Sequence, residues 1–150
     1  MGTMLRRLIL GVGVFLLGVA LLAGTVGAAK KVVFKTTFPP LPIAPNTPLS
    51  ITKDSPTLYL VEGQLSSTRA GKRAGCHVRR HVLLHVLHPN NTDTVIASWK
   101  PKSLSLFNFR VELMPSDSVY VSTPAKNLVT RSGKRVRCAS GRSVPQPVPQ

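Results

Sequence analysis

Thr68-Arg69-Ala70-Gly71-Lys72-Arg73-Ala74-Gly75-Cys76 recurs later in the chain as Thr130-Arg131-Ser132-Gly133-Lys134-Arg135-Val136-Arg137-Cys138. Six of the nine positions are identical, at a constant offset of 62 in residue number. At the same offset Val33-Phe34-Lys35-Thr36 faces Val95-Ile96-Ala97-Ser98, and Pro39 faces Pro101. With a small shift, Asp54-Ser55 followed by Leu58-Tyr59-Leu60 resembles Asp117-Ser118 followed by Val119-Tyr120-Val121. Self-similarity of this kind marks repeated structural units. It predicts two diverged half-repeats, roughly 31–92 and 93–142. Each is too short to bury a core alone, so both halves are expected to build one pseudo-symmetric domain.

Outward from these segments the chain reads as short strands broken by proline and glycine. Lys31 to Phe38, Thr57 to Leu65, Thr94 to Trp99 and Val119 to Ser122 are rich in Val, Ile, Thr, Tyr and Phe, the residues of strands. Ser103 to Met114 is long and apolar, and its alternation slips at Leu106-Phe107, where a bulge would restore the register. Val129 to Cys138 reads as the last strand. Phe38 to Pro56 holds six prolines, which rule out a helix or a central strand and leave an extended or edge segment. Residues 143–150, Ser-Val-Pro-Gln-Pro-Val-Pro-Gln, read as a disordered polyproline-type tail. The expected fold is all-β: a small sandwich or barrel over residues 30–142, with 30–56 as a strand plus the proline-rich stretch and 57–142 as the remainder.

Cys76 and Cys138 are the only cysteines and occupy matching repeat positions. In an oxidising compartment they are expected to pair. The order Cys76, Trp99, Cys138 also suits an immunoglobulin-like sandwich. Against this, the gap from Cys76 to Trp99 is long, and Val136 stands where the tyrosine of the corner motif would be. The residues identify no family.

The N-terminus places this body outside the cytosol. Arg6 and Arg7 precede an apolar run from Leu8 to Ala23, and small residues (Gly27, Ala28, Ala29) lead to Lys30 and Lys31. This is the pattern of a signal peptide over residues 1–29. Counted from Leu8 to Ala29, the segment also has the length that an uncleaved helical anchor needs to span a bilayer. The protein is therefore expected to be secreted, or held in a membrane through residues 8–29. Asn90-Asn91-Thr92 would then be an N-glycosylation acceptor.

Charge bounds the partners. The chain has 20 Lys and Arg against 5 Asp and Glu, a formal net charge of +15. Such a body is drawn to anionic polysaccharide, anionic lipid head groups or an acidic protein. Arg69, Lys72 and Arg73 of the first basic segment, with Arg131, Lys134, Arg135 and Arg137 of the second, are the expected anion-binding residues. Arg grips sulfate and phosphate in bidentate fashion and Lys acts as a point charge. Gly71 and Gly133 would allow turns that add backbone N–H donors. If the two segments lie on one face they form a double basic clamp; if not, two separate sites.

The four histidines lie at His77, His81, His85 and His88. On a strand, His77, Arg79, His81 and His85 share a cationic face, opposite Val78, Val82, Leu84 and Val86. On a helix, His77, His81 and His85 would align for Zn²⁺ or Cu²⁺. No carboxylate stands nearby, so neither metal nor cofactor is expected. Nucleic acid is disfavoured by sparse aromatics and by the targeting segment. No Gly-x-Ser-x-Gly elbow, His-Glu-x-x-His or phosphate loop is present, and carboxylates for acid–base work are few, so an enzyme is not expected. The expected function is a non-enzymatic basic binding domain. The alternatives are an accessory protein of an envelope or cell surface, and a precursor cut at Gly-Lys-Arg.

Overall fold

Alternating side chains dictate most of this molecule. In the computed structural model, which describes residues 31–100 and 105–150, nearly all regular structure is β, arranged in several sheets. The N-terminal segment expected to be a signal peptide or anchor lies outside the described residues. Among the described residues no helix is long and apolar enough to cross a membrane.

Two sheets supply the core. The first has β3 (Leu49–Lys53) and β8 (Leu106–Glu112) flanking β4 (Leu58–Gln64), all antiparallel. The second joins β6 (Val82–Leu87) to β7 (Asp93–Trp99) on one side and β9 (Ser118–Thr123) on the other. β12 (Gly141–Arg142) extends it beyond β9. The period of two sends Tyr59 and Val61 of β4, Val82, Leu84 and Val86 of β6, Phe107 and Phe109 of β8, and Val119 and Val121 of β9 into one shared apolar cluster. Gly63 of β4 lies between Leu49 and Phe107 in the ladder, and the Phe107 ring covers the place its side chain would take.

The remaining strands form a basic end. β1 (Val32–Phe34) runs parallel to β11 (Arg135–Cys138), which pairs with β10 (Lys126–Val129) as a hairpin. β2 (Thr36–Thr37) pairs with β5 (Ser66–Ser67), which leads into a short helix, α1 (Arg69–Arg73). A disulfide joins Cys76 to Cys138, with Cα atoms 5.4 Å apart and both residues buried.

Several expectations are corrected. The expected first strand is divided into β1 and β2, whereas the proline-rich stretch, expected to be an extended or edge segment, contains the edge strand β3. β8 pairs with β4 without interruption from Leu106 to Glu112; the register shift falls instead between Leu84 and His85, where β6 meets β7. Val129 to Cys138 is not one strand. Gly133, at positive φ, turns the chain between β10 and β11. Nor is the tail free: β13 (Gln146–Pro147) pairs with β9, Val148 is buried in the core, and Tyr59 donates to the Pro149 carbonyl at 3.1 Å. Two short pairings on the same edge of β9 thereby cover what would be a bare strand edge.

Candidate functional site

The two matching nonamers adopt different backbones, for reasons visible in their differences. In the first, Thr68 caps α1, its hydroxyl accepting from the Gly71 N–H at 3.1 Å. Gly75, in the left-handed region, ends the helix: its N–H reaches the Lys72 carbonyl while the Cys76 N–H reaches that of Gly71, the paired bonds of a Schellman motif. In the second, the residues matching Ala74-Gly75 are Val136-Arg137. A β-branched residue favours an extended backbone and a non-glycine meets a steric penalty in that left-handed stop, and here the chain extends into β11. Thr130 keeps an analogous duty, accepting from the Lys134 N–H at 3.1 Å across the hairpin turn. Gly133 provides the turn expected of it. Gly71 instead sits buried in α1, where an added side-chain carbon would strike Ser67.

Despite the different backbones, both nonamers border one cleft of about 780 Å³. α1 and the residues after it supply Arg73, and the β10–β11 turn supplies Arg131 and Lys134. The floor is apolar, with Val32 and Phe34 from β1, and Val129 and Val136 from the hairpin. The cleft lining contains three cations, Arg73, Arg131 and Lys134, and no carboxylate. The disulfide crosses directly between the two segments, from the residue just after Gly75 to the last residue of β11.

The other expected anion-binding residues divide by geometry. Arg135 and Arg137 alternate along β11 with buried Val136 and Cys138, which turns them to the opposite face of the sheet. Arg69 and Lys72 are exposed on α1 but do not line the cleft. Arg73, Arg131 and Lys134 are therefore the three that the fold brings together.

Behind this end lies a residue that the sequence did not single out. Arg80 is 1% exposed. Its guanidinium donates to Thr36 Oγ1 at 2.6 Å, the Cys76 carbonyl at 3.4 Å, the Ala139 carbonyl at 2.9 Å and the Pro124 carbonyl. All four acceptors are neutral oxygens. Burial pushes its pKa below the usual arginine value. Arg79 just before it, at positive φ, breaks the strand and turns Arg80 inward. Arg80 thus links β2, the disulfide loop, and the connections after β9 and β11. A buried cation bound to neutral acceptors is recognisable only once its partners are known, and they come from three distant parts of the chain.

The same break at Arg79 disperses the histidines. His77 lies in the turn after Cys76, with Nδ1 buried and unbonded, and its pKa is lowered by burial and by Lys72. His81 is exposed and, with Arg79, Lys100 and Lys126, borders a separate basic depression of about 290 Å³. Of the three metal candidates only His85 lies on β6, and both its ring nitrogens are occupied: Nδ1 with Asp93 at 3.1 Å and Nε2 with Ser122 at 2.8 Å. Among the described residues no group of three or more potential ligands could hold a metal ion. His88 bonds buried Asp117 at 2.9 Å.

His85 belongs to a cross-strand network on the outer face of the second sheet. Its ring stacks on Tyr120, centroids 4.3 Å apart, and Arg142 covers that ring at 3.8 Å. Tyr120 donates to Asp93, which holds the Asp93 carboxyl below the usual range. Burial, with this hydrogen bond, raises the Tyr120 pKa. The order Ser122, His85, Asp93 is that of a serine nucleophile with its base and orienting acid. Two features separate it from a working triad. Ser122 lies in mid-strand between β6 and β12, so its main chain belongs to the ladders and offers no spare pair of N–H groups for an oxyanion. Asp93, with a side chain 41% exposed, stands open to water at the start of an edge strand.

Asn90 stands exposed at the tip of the β6–β7 hairpin, accepting from the Thr92 N–H at 3.0 Å, with Asn91 in the left-handed region. No family model, curated protein or solved structure matches this chain.

Proposed function

We propose that this is a secreted or membrane-tethered basic β-domain that binds an anionic surface, an anionic polymer or an acidic protein, without catalysis, through the cleft between α1 and the β10–β11 turn. The observation that carries this reading is the convergence of Arg73, Arg131 and Lys134 on one cleft with no carboxylate in its lining. Like charges held together repel, and an anion seated among them removes that repulsion while gaining charge-assisted hydrogen bonds. This is the one-face clamp of the two arrangements open to the basic segments. The single apolar cluster shared by two sheets supports a small sandwich. The different backbones of the two nonamers leave their resemblance one of residue type and disulfide position rather than of local structure. The buried disulfide and the exposed Asn90 suit an extracytoplasmic setting.

The precursor alternative is disfavoured by the local folding of its cleavage sites. Lys72-Arg73 lies within capped α1, and Lys134-Arg135 runs from a hydrogen-bonded turn into β11. Proteolysis favours exposed, extended and mobile chain.

Elution from an immobilised sulfated polysaccharide tests the proposal. Arg131→Glu/Lys134→Glu should elute at much lower salt than a control of equal charge change, Lys53→Glu/Arg110→Glu, both exposed and outside the cleft lining. Equal losses in the two variants would reduce the interaction to net charge and reject the cleft.

A further inference from the structure

The floor of the basic cleft is not what a sulfated sugar requires. Val32 and Val129 border it and are 51% and 68% exposed, so two branched apolar side chains face water beside three cations. Phe34, Ala70 and Ala74 extend the apolar surface. A hydrated polyanion would satisfy Arg73, Arg131 and Lys134 but would leave this floor with no apolar partner. An anion carrying its own apolar body satisfies both.

The position of the cleft in the sequence points the same way. Val32 opens β1, three residues after Ala29, the last small residue of the N-terminal segment. A fully extended chain spans about 10 Å over three residues. If residues 8–29 enter a bilayer, only Lys30 and Lys31 separate that segment from Val32 in the sequence. At a membrane surface basic side chains near anionic lipid each strengthen attachment, and apolar side chains gain by entering the interface.

Resting on the anion-binding reading above, we infer that the occupant of this cleft is an anionic phospholipid at the membrane surface. Its phosphate head group sits among Arg73, Arg131 and Lys134, and its glycerol and upper acyl region rests on Val32, Phe34 and Val129. Arg provides bidentate contacts to phosphate oxygens and Lys134 a point charge. Removing one basic side chain should weaken the contact about fivefold. The valines contribute to lipid binding and not to binding of a soluble polyanion.

The test uses the full chain in nanodiscs of phosphatidylcholine alone and of phosphatidylcholine with phosphatidylserine, read by amide hydrogen exchange. Phosphatidylserine should slow exchange in 69–76 and 129–136, and Arg131→Glu/Lys134→Glu should abolish that protection. Val32→Ser/Val129→Ser should weaken it several-fold while leaving elution from the sulfated polysaccharide unchanged. Equal exchange in both discs, with polysaccharide binding intact, would overturn the lipid assignment and leave the anion-binding reading standing. Protection of equal size in neutral and anionic discs would show apolar adsorption without head-group recognition and would also overturn it. Binding to neither lipid nor polysaccharide would remove both readings together.

Discussion

Removal of the Cys76–Cys138 disulfide is the perturbation whose size is best defined by the structure. The bridge spans a sequence separation of 62 residues. On the chain-entropy relation, a loop of this length restricts the unfolded state by about 4 kcal/mol. Unfolding entropy is about 2.1 cal/mol/K per residue. For the roughly 120 residues of the unit Lys31–Gln150, the loss translates into a melting temperature lower by about 16 °C. Both cysteines are fully buried, so the paired variant Cys76→Ala/Cys138→Ala is a cleaner probe than added reductant. Differential scanning calorimetry of this variant should show that fall. Retention on a sulfated polysaccharide should drop with it, because the bridge fixes α1 against β11 and so holds Arg73 opposite Arg131 and Lys134. A melting point unchanged within a few degrees would refute the entropic reasoning. A lowered melting point with full retention at a temperature where the variant is folded would refute the bridge's role in shaping the cleft.

Deleting residues 144–150 should lower stability by about 2 kcal/mol, the burial value of one valine-sized side chain, because it removes Val148 from the core and uncovers the β9 edge. Denaturant titration would detect this, and concentration-dependent association should follow from the bare edge. Gly63→Ala should cost about 1–3 kcal/mol, since the new methyl meets the Phe107 ring; the same titration checks it, and a neutral result would mean that the ring moves aside freely. Acid should destabilise the fold in two stages. His77 has a lowered folded pKa, so its contribution is present above its ordinary value of 6.5 and is lost as pH falls through the folded value. Asp93 is held down chiefly by Tyr120, so its contribution is present above 3.8 and is lost at still lower pH. Melting temperatures measured across this range should decline accordingly, and Tyr120→Phe should flatten the lower limb.

The strands were legible where burial follows a strict period of two. Tyr59 and Val61, or Val119 and Val121, announce their faces without any knowledge of their neighbours. The tail was not legible, because its Pro and Gln content describes a chain with little to bury, and the burial of Val148 depends on strands distant in sequence that no local pattern reveals. The nonamer taught half of its lesson. The pairing of Cys76 with Cys138 and the meeting of the basic segments agree with its repetition. The helix in one copy and the hairpin in the other turn on Gly75 against Arg137, a difference concealed by the identities around it. His85 was placed on the polar face of a strand, but its partners arrive from other strands: Asp93 across the β6–β7 hairpin, and Ser122 and Tyr120 from β9. Arg80, the most deeply buried cation among the described residues, carries no local sign of its burial, because its acceptors lie far away in the chain.

Two basic segments distant in sequence are proposed to form one anion site. Amide chemical-shift mapping of the nitrogen-labelled protein, titrated with a short sulfated oligosaccharide, tests it most directly. The account predicts saturable shifts confined to 69–76 and 129–136 that share a single dissociation constant. Shifts that spread evenly over the cationic surface, or that centre on Arg79, Lys100 and Lys126 and spare both segments, would contradict it.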